Sequence, residues 1–119
     1  MLLRSRGLMK TVQNMNKTNL GLLHTKTLAV EHDYVNHRFY IKLGNDVAFI
    51  QYDMFNNVLD YKETYVPPAF RRKGVAQVLA EAAFDHAVKN DLKVKVTCTY
   101  LQKYLENHPL SEYTSRIVD

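Results

Sequence analysis

The chain has 119 residues, of which 46% are hydrophobic and 24% are charged, and this predicts one globular domain of ordinary composition. No apolar run approaches the roughly 18 residues that a membrane-spanning helix needs, so the sequence excludes a transmembrane protein of that kind. Cys98 is the single cysteine, which excludes an internal disulfide and a Cys-x-x-Cys zinc site. One cysteine also fits a reducing, intracellular compartment.

The positive charge of the chain is concentrated near its N-terminus. The formal net charge is +4, and residues 1–30 carry five basic residues and no acidic one. Residues 31–119 carry 11 basic and 12 acidic residues, a net charge of −1. A domain that binds nucleic acid usually has its own excess of positive charge, so we do not expect RNA or DNA as a partner.

Residues 1–26 read as a leader ahead of a folded domain at residues 27–119. The leader is basic, lacks Asp and Glu, and has a weakly amphipathic pattern. Two interpretations remain open, a disordered tail and a mitochondrial transit peptide. The expected location is therefore cytoplasmic or mitochondrial.

Alternating apolar and polar residues predict four strands in the first half of the domain. Gly44-Asn45-Asp46 and Asn56-Asn57 predict turns between them. Pro67 and Pro68 end the fourth strand because proline cannot continue a hydrogen-bonded ladder. The predicted strands begin near Thr27 and cover residues 39–43, Val47–Tyr52 and Val58–Val66.

The second half of the domain changes to helical periodicity. A long amphipathic helix is predicted over Arg72–Lys89, followed by a fifth strand over Lys93–Thr99. A short helix over Tyr100–Asn107 stops before Pro109. A strand, a helix and another strand form a crossover unit, so the fourth and fifth strands should run parallel. The expected class is α+β, with a mostly antiparallel, twisted sheet and one long helix packed on it.

The start of the predicted long helix departs from the usual rules. No Ser, Thr, Asp or Asn lies between Val66 and Ala76 to cap the first amides. Basic residues occupy Arg71–Lys73, where acids are favoured, and Gly74 costs about 1 kcal/mol relative to Ala in a helix. A bound multivalent anion would relieve all of these features. The alternative is a solvated basic helix start whose amides are capped by water.

Arg71-x-x-Gly74-x-Ala76, after a strand that ends at Val66, resembles the acetyl-coenzyme A signature of the GNAT superfamily of N-acetyltransferases. Further segments between residues 28 and 118 resemble its small single-domain branch. The resemblance implies a GNAT-like fold in which the fourth and fifth strands splay apart, with one long central helix and a short C-terminal helix. It also implies acetyl-CoA as the cofactor. The resembling segments include Val30-Glu31-His32-Asp33, Val66-Pro67-Pro68, Thr97-Cys98 and Gln102-Lys103-Tyr104.

By the same resemblance, backbone N–H groups from Arg72 to Ala76 would hold the pyrophosphate of coenzyme A. Arg71 or Lys73 would lie near the phosphate oxygens, and Val66 would hydrogen-bond the pantetheine arm. The cofactor-binding residues implied in this way are Val66, Arg71, Arg72, Lys73, Gly74, Val75 and Ala76.

Three residues are candidates for the chemistry of acetyl transfer. Tyr104 lies near the position from which the superfamily often protonates the departing thiolate, although it could equally be a packed aromatic. Glu63 could deprotonate an amine, yet many relatives carry His there, and a plain strand-edge carboxylate is the alternative. Cys98 could accept an acetyl group as a nucleophile, or act as a small buried hydrophobe.

The histidines give no reason to expect a metal. His32 and His37 flank a loop and should lie on the surface, and His86 should be half-buried on the long helix. His108 should cap the short helix at its C-terminus. No pair among them has metal-ligand spacing with a third ligand.

The sequence therefore favours an acetyl-CoA-dependent domain that transfers acetyl to an unidentified amine, either a small molecule or a protein. The alternative is a catalytically weak CoA-binding module that acts by binding proteins. Glu63, which stands in place of His, favours this alternative.

Overall fold

The computed structural model of the protein describes residues 9–11 and 27–119. Within these ranges no helix combines the length and the apolar character needed to cross a membrane. The strands are β1 (Met9–Thr11), β2 (Thr27–Ala29), β3 (Glu31–Asp33), β4 (Arg38–Leu43), β5 (Asp46–Phe55), β6 (Val58–Tyr65) and β7 (Lys93–Val96). The described helices are α1 (Val75–Lys89), α2 (Thr99–Asn107) and α3 (Ser111–Thr114), and a 3-10 turn covers Pro68–Phe70.

The expected leader, residues 1–26, falls largely outside the described residues. Its described part, Met9–Thr11, forms β1 and pairs antiparallel with β2. The boundary at residue 27 and both interpretations of the leader therefore stay predictions.

Five strands form one sheet in the order β3-β4-β5-β6-β7. Neighbouring strands are antiparallel, except that β6 and β7 run parallel from the pair Val58 and Lys93 to the pair Tyr61 and Val96. The connection between β6 and β7 contains α1, as a parallel pair requires. The predicted α+β class, antiparallel meander and parallel crossover are confirmed. The predicted first strand is divided, because Val30 separates β2 from β3.

The core lies between one face of the sheet and the helices. Alternate residues of β4 and β5, such as Ile41 and Ile50, are buried on this face. The ring of Phe84 on α1 lies 5.6 Å from that of Tyr61 on β6. Phe84 also stacks on Tyr104 of α2 at 5.9 Å and on Tyr113 of α3 at 5.4 Å. All three described helices therefore pack on the same face.

The start of the long helix differs from the prediction. Helix α1 begins at Val75 and not at Arg72, and Gly74 is its N-cap residue with a left-handed backbone at φ 83°. Arg72 also has a positive φ, 63°, so the backbone turns sharply before the helix. The predicted cost of Gly74 inside the first turn was wrong, because a left-handed position favours glycine. Arg71–Lys73 form the turn that leads into α1.

Strand β6 contains a β-bulge at Lys62. Tyr61 pairs with Tyr52 of β5, but Glu63 pairs with Gln51, so Lys62 has no opposite partner. The extra residue shifts the alternation of side chains by one position. As a result Thr64 points to the helix-covered face, while Glu63 points to the opposite face.

The parallel pair separates just after the bulge. Strand β7 ends at Val96, earlier than the predicted Thr99. The N–H groups of Thr97 and Cys98 both donate to the carbonyl of Tyr61, at 3.0 and 2.9 Å, and no backbone bond joins β6 to this segment beyond them. Cys98 is the N-cap residue of α2. The expected splay therefore opens between the end of β6 and the start of α2.

The C-terminal segment covers the outer edge of β7. The N–H of Val94 donates to the carbonyl of Arg116 at 2.9 Å, and the N–H of Val118 donates back to Val94 at 2.8 Å. Arg116 also donates to a carboxylate oxygen of Asp91 at 2.9 Å. These contacts satisfy part of an edge that would otherwise present unpaired backbone groups.

Candidate active site

An open cleft of about 420 Å³ lies where α1 begins. It brings together six of the seven residues predicted to bind a cofactor, while Lys73 is not among its lining residues. Three further lining residues, Phe70, Gln77 and Tyr100, were not predicted from the sequence. The cleft is lined by Val66, Phe70, Arg71, Arg72, Gly74, Val75, Ala76, Gln77 and Tyr100.

The amides at the start of α1 lack a protein cap. No described side chain caps the helix at Gly74, and its first turn holds no acidic residue. The carbonyl of Gly74 accepts the N–H of Val78 at 3.1 Å, so the helix ladder begins there. The amides of Val75 to Gln77 precede that bond and face the helix end. This end of α1 has the positive side of the helix dipole next to Arg71 and Arg72.

Arg71 links the end of β6 to the cleft. Its Nε donates to the carbonyl oxygen of Val66 at 2.7 Å. Its guanidinium carbon lies 5.9 Å from the centre of the Tyr65 ring. The side chain is exposed, so the guanidinium is held beside the cleft by one hydrogen bond and one aromatic contact.

Cys98 and Thr64 meet across the splay. The Sγ atom of Cys98 lies 3.4 Å from Oγ1 of Thr64, and only 7% of Cys98 is exposed. Thr64 reaches this position because the bulge at Lys62 turns it toward the helix-covered face. Two predicted candidates thus have different surroundings, since Cys98 is inside the splay and Glu63 is outside it.

Glu63 is exposed on the face opposite to the helices. Its side chain makes no hydrogen bond or ion pair with a described residue, and no described carboxylate or imidazole lines the cleft. Glu63 and Cys98 therefore cannot act on each other directly. A carboxylate there can act only on a group that approaches from the face without helices.

The sequence matches the family described as GCN5-related N-acetyl-transferase over residues 38–116. This chain belongs to that family. The match includes β4 to β7, the cleft at α1 and the splay at Cys98. The family membership expected from the sequence is confirmed.

Two relatives and one solved structure are similar to this chain. Protein NATD1 of Xenopus tropicalis is 38% identical over 96 residues, which cover 78% of this chain and 88% of that protein. Protein NATD1 of Mus musculus is 39% identical over 93 residues, with 76% and 84% covered. The solution structure of a GCN5-like protein from Staphylococcus aureus superposes with a TM-score of 0.59 at 26% identity, covering 76% of this chain and 88% of that one.

In this GCN5-related protein, Tyr100 lies closer to the cleft than the predicted Tyr104. Tyr100 belongs to the first turn of α2 and lines the cleft. Burial, and secondarily the charge of Cys98, raise the pKa of its hydroxyl. Sequence reasoning missed it because the start of α2 at Cys98 decides which tyrosine faces the cleft.

Tyr104 is part of the core packing between helices. It is buried, and its ring stacks on Phe84 at 5.9 Å and on His108 at 4.3 Å. Burial, with the charges of Glu81, Asp85 and Tyr100, raises its pKa to about 12. Tyr104 does not line the cleft. His108 accompanies it and, as expected, ends α2, with its Nδ1 atom 3.0 Å from the Tyr104 carbonyl oxygen.

His32 is packed and not on the surface as predicted. Its ring stacks on Phe39 at 4.2 Å and meets His86 edge-on at 4.6 Å, and its Nε2 is 2.6 Å from the Tyr52 hydroxyl. Burial, together with nearby positive charge, lowers the pKa of His32 to about 3 and that of His86 to about 4. The described His, Cys, Asp and Glu residues form no group of three or more suited to a metal.

Proposed function

We propose that this protein is an acetyl-CoA-dependent N-acetyltransferase that acetylates an amine. The observation that carries the proposal is the cleft at Gly74, where an uncapped helix start and two arginines adjoin the splayed strands. Membership of the GCN5-related family supports this choice of ligand and reaction, because the family typically uses acetyl-CoA.

The residues of the cleft fit the diphosphate of coenzyme A. Backbone amides at a helix start bind phosphate oxygens, and the helix dipole favours negative charge there. Arg71 and Arg72 add guanidinium groups, which bind phosphate with charge-assisted hydrogen bonds. Gly74 has no side chain that would block the approach of a phosphate group to these amides. Val66, the residue after β6, offers backbone groups for the pantetheine arm, of which the carbonyl already accepts a hydrogen bond from Arg71.

The side chains around the splay suggest how the protein would assist the reaction. Acetyl-CoA supplies the acetyl group as an activated thioester. Tyr100 carries its proton at neutral pH, as a phenol ordinarily does, and lies at the cleft, so it can donate that proton to a departing thiolate. Cys98 lies inside the splay, so its sulfur is the candidate nucleophile. Glu63 can accept a proton from an amine that approaches the opposite face of the sheet.

A second candidate function is a CoA-binding module that acts by binding proteins. The observation in its favour is that no described carboxylate or imidazole lines the cleft. A protein of this kind would bind coenzyme A through the same helix start and would not release thiol faster than buffer. The two candidate functions therefore predict the same binding of coenzyme A but different rates of thiol release.

The first experiment tests the anion site with a matched pair of variants. Asn and Asp have nearly the same size, and both tolerate the left-handed backbone of Gly74 better than other side chains do. We expect Gly74→Asp to bind coenzyme A at least tenfold more weakly than Gly74→Asn, because only Asp repels the phosphates. Calorimetry measures both affinities, and thermal unfolding verifies that both variants fold. Equal affinities would place the diphosphate elsewhere.

The second experiment separates the two candidate functions. Purified protein is incubated with acetyl-CoA and a panel of amines and peptides, while free thiol and acetylated product are measured. We expect thiol release above the buffer rate with at least one acceptor class, and loss of that release in Gly74→Asp. Binding of coenzyme A without any release across the panel would favour the protein-binding module.

A further inference from the structure

We propose that Thr64 is a positioning residue that holds the Cys98 sulfur inside the splay through its hydroxyl. The inference rests on the proposed function for its catalytic meaning, but the contact itself is independent of any ligand. The Thr64 hydroxyl and the Cys98 sulfur are 3.4 Å apart, and this contact spans the gap where the backbone bonds between β6 and β7 have ended.

The bulge at Lys62 is the reason that Thr64 can make this contact. In a regular ladder Tyr61 and Glu63 would share a face, and Thr64 would point away from the helices. The extra residue instead pairs Thr64 with Ile50, whose side chain is fully buried on the helix-covered face. The hydroxyl is therefore carried by a strand that is fixed by β5, and its position is not that of a mobile loop.

Cys98 is fixed from two other directions. Its N–H donates to the Tyr61 carbonyl at 2.9 Å, and its carbonyl accepts the N–H of Gln102 at 3.1 Å as α2 begins. The sulfur thus lies at the positive end of α2. Because the backbone is held in this way, one further contact is enough to fix the orientation of the Cys98 side chain. The Thr64 hydroxyl provides that contact.

The chemistry of the contact explains what the hydroxyl does. A thiolate, and not a thiol, is the reacting form of cysteine, and it needs hydrogen-bond donors. Thr64 can rotate its O–H toward the sulfur, since a hydroxyl is both donor and acceptor. No described Lys, Arg or His makes a hydrogen bond or ion pair with Cys98, so Thr64 is the side-chain donor that the described residues offer. Its removal should slow the attack of the sulfur on an electrophile.

The experiment uses the fact that Cys98 is the single cysteine of the full chain. The protein is alkylated with iodoacetamide under native conditions, and the increase in its intact mass is followed over time. This increase reports on the Cys98 sulfur alone, and the assay needs no acetyl-CoA. We expect Thr64→Val, which keeps the shape and loses the hydroxyl, to alkylate about fivefold more slowly than the wild type, as loss of one hydrogen bond would give. Thr64→Ser should restore the rate to within about twofold. The exposed Thr99→Val, beside Cys98, serves as the matched control and should react at the wild-type rate.

The outcomes decide the inference separately from the proposed function. Wild-type alkylation of Thr64→Val, or equally slow alkylation of Thr64→Ser, would overturn the inference whether or not the protein transfers acetyl. Slow alkylation of Thr64→Val that Ser rescues supports it even if no turnover is found. Where turnover is measured, the rate of acetyl transfer should fall in Thr64→Val and recover in Thr64→Ser, with the KM for acetyl-CoA unchanged.

Discussion

Tyr100 and Tyr104 are one helical turn apart on α2 but have different surroundings. Tyr100 is 39% exposed and lines the cleft, whereas Tyr104 is 7% exposed and stacks between Phe84 and His108. Both hydroxyls have a raised pKa, chiefly because of burial. A raised pKa alone therefore does not identify a proton donor, and the position at the cleft decides between them.

The two tyrosines give a matched pair of variants. We expect Tyr100→Phe to lower the rate of acetyl transfer about 10²-fold, because a general acid contributes on that order. The KM for acetyl-CoA should change little. Tyr104→Phe should transfer acetyl at nearly the wild-type rate, since its ring contacts remain. Steady-state kinetics measures both, and an equal loss in the two variants would argue against the assignment of Tyr100.

Gly74 shows what can and cannot be predicted from a single residue type. The absence of a capping side chain and the basic run before the helix predicted an anion site here, and the structure has a cleft lined by Arg71 and Arg72 at this helix start. The glycine itself has a backbone reason, its φ of 83°, which the sequence did not reveal. The anion hypothesis thus depends on the uncapped amides and on Arg71 and Arg72, and less on the presence of glycine.

At the scale of elements, the features that could be predicted are those with a regular hydrophobic period or with residues that end a helix or strand. The long helix, the two turns and the end of the fourth strand at Pro67 follow from local patterns, and the structure confirms them. The bulge at Lys62 has no comparable pattern, because it depends on pairing with β5. For this reason the sequence could bring Glu63 and Cys98 near the same strand end but could not place them on opposite sides.

The packing of α1 on β3 makes stability depend on pH. The pKa of His32 is about 3 and that of His86 about 4 in the folded protein, both far below the ordinary 6.5. Below pH 6.5 the unfolded chain takes up protons that the folded chain does not bind. The free energy of unfolding should therefore be constant at neutral pH and fall steadily from about pH 6.5 toward pH 4. Both rings are partly exposed, so the slope should be shallower than the ideal value for two buried groups.

The measurement is urea unfolding at pH 7, 6 and 5. His86→Gln removes one of the two titrating rings and should give a shallower fall than the wild type. The variant is expected to fold, because His86 lies near the end of α1 and is only half-buried. The same slope in both proteins would contradict the assignment of this pH dependence to His86.

At the scale of the whole molecule, the chain end stabilises the sheet. Arg116–Val118 lies along β7 and makes backbone bonds to both sides of Val94. Arg116 also binds Asp91, beside the end of α1. The last residues therefore protect an edge strand next to the splay, which is the part of the sheet that the proposed ligand must enter.

Removal of residues 116–119 should expose this edge. We expect the melting temperature to fall by about 5 °C or more, which corresponds to about 1 kcal/mol in a domain of this size. The truncated protein should also associate at high concentration through the unpaired edge. Removal of the exposed Asp119 alone is the control. Scanning calorimetry and light scattering measure the two effects, and a monomer with unchanged melting temperature would contradict the expectation.

The bulge has a consequence for how such a strand can change during evolution. Deletion of Lys62 would remove the bulge without moving any later side chain to the other face, because Glu63 would still pair with Gln51 and Thr64 with Ile50. A regular ladder that kept Lys62 would instead pair it with Gln51 and place Glu63 opposite Ile50, on the helix-covered face. Loss of this one codon would thus leave a hydroxyl beside Cys98, whereas a one-residue slip in pairing would bring a carboxylate there. In this fold the pairing register of one strand, as much as the identity of its residues, selects which side chain lies beside the thiol.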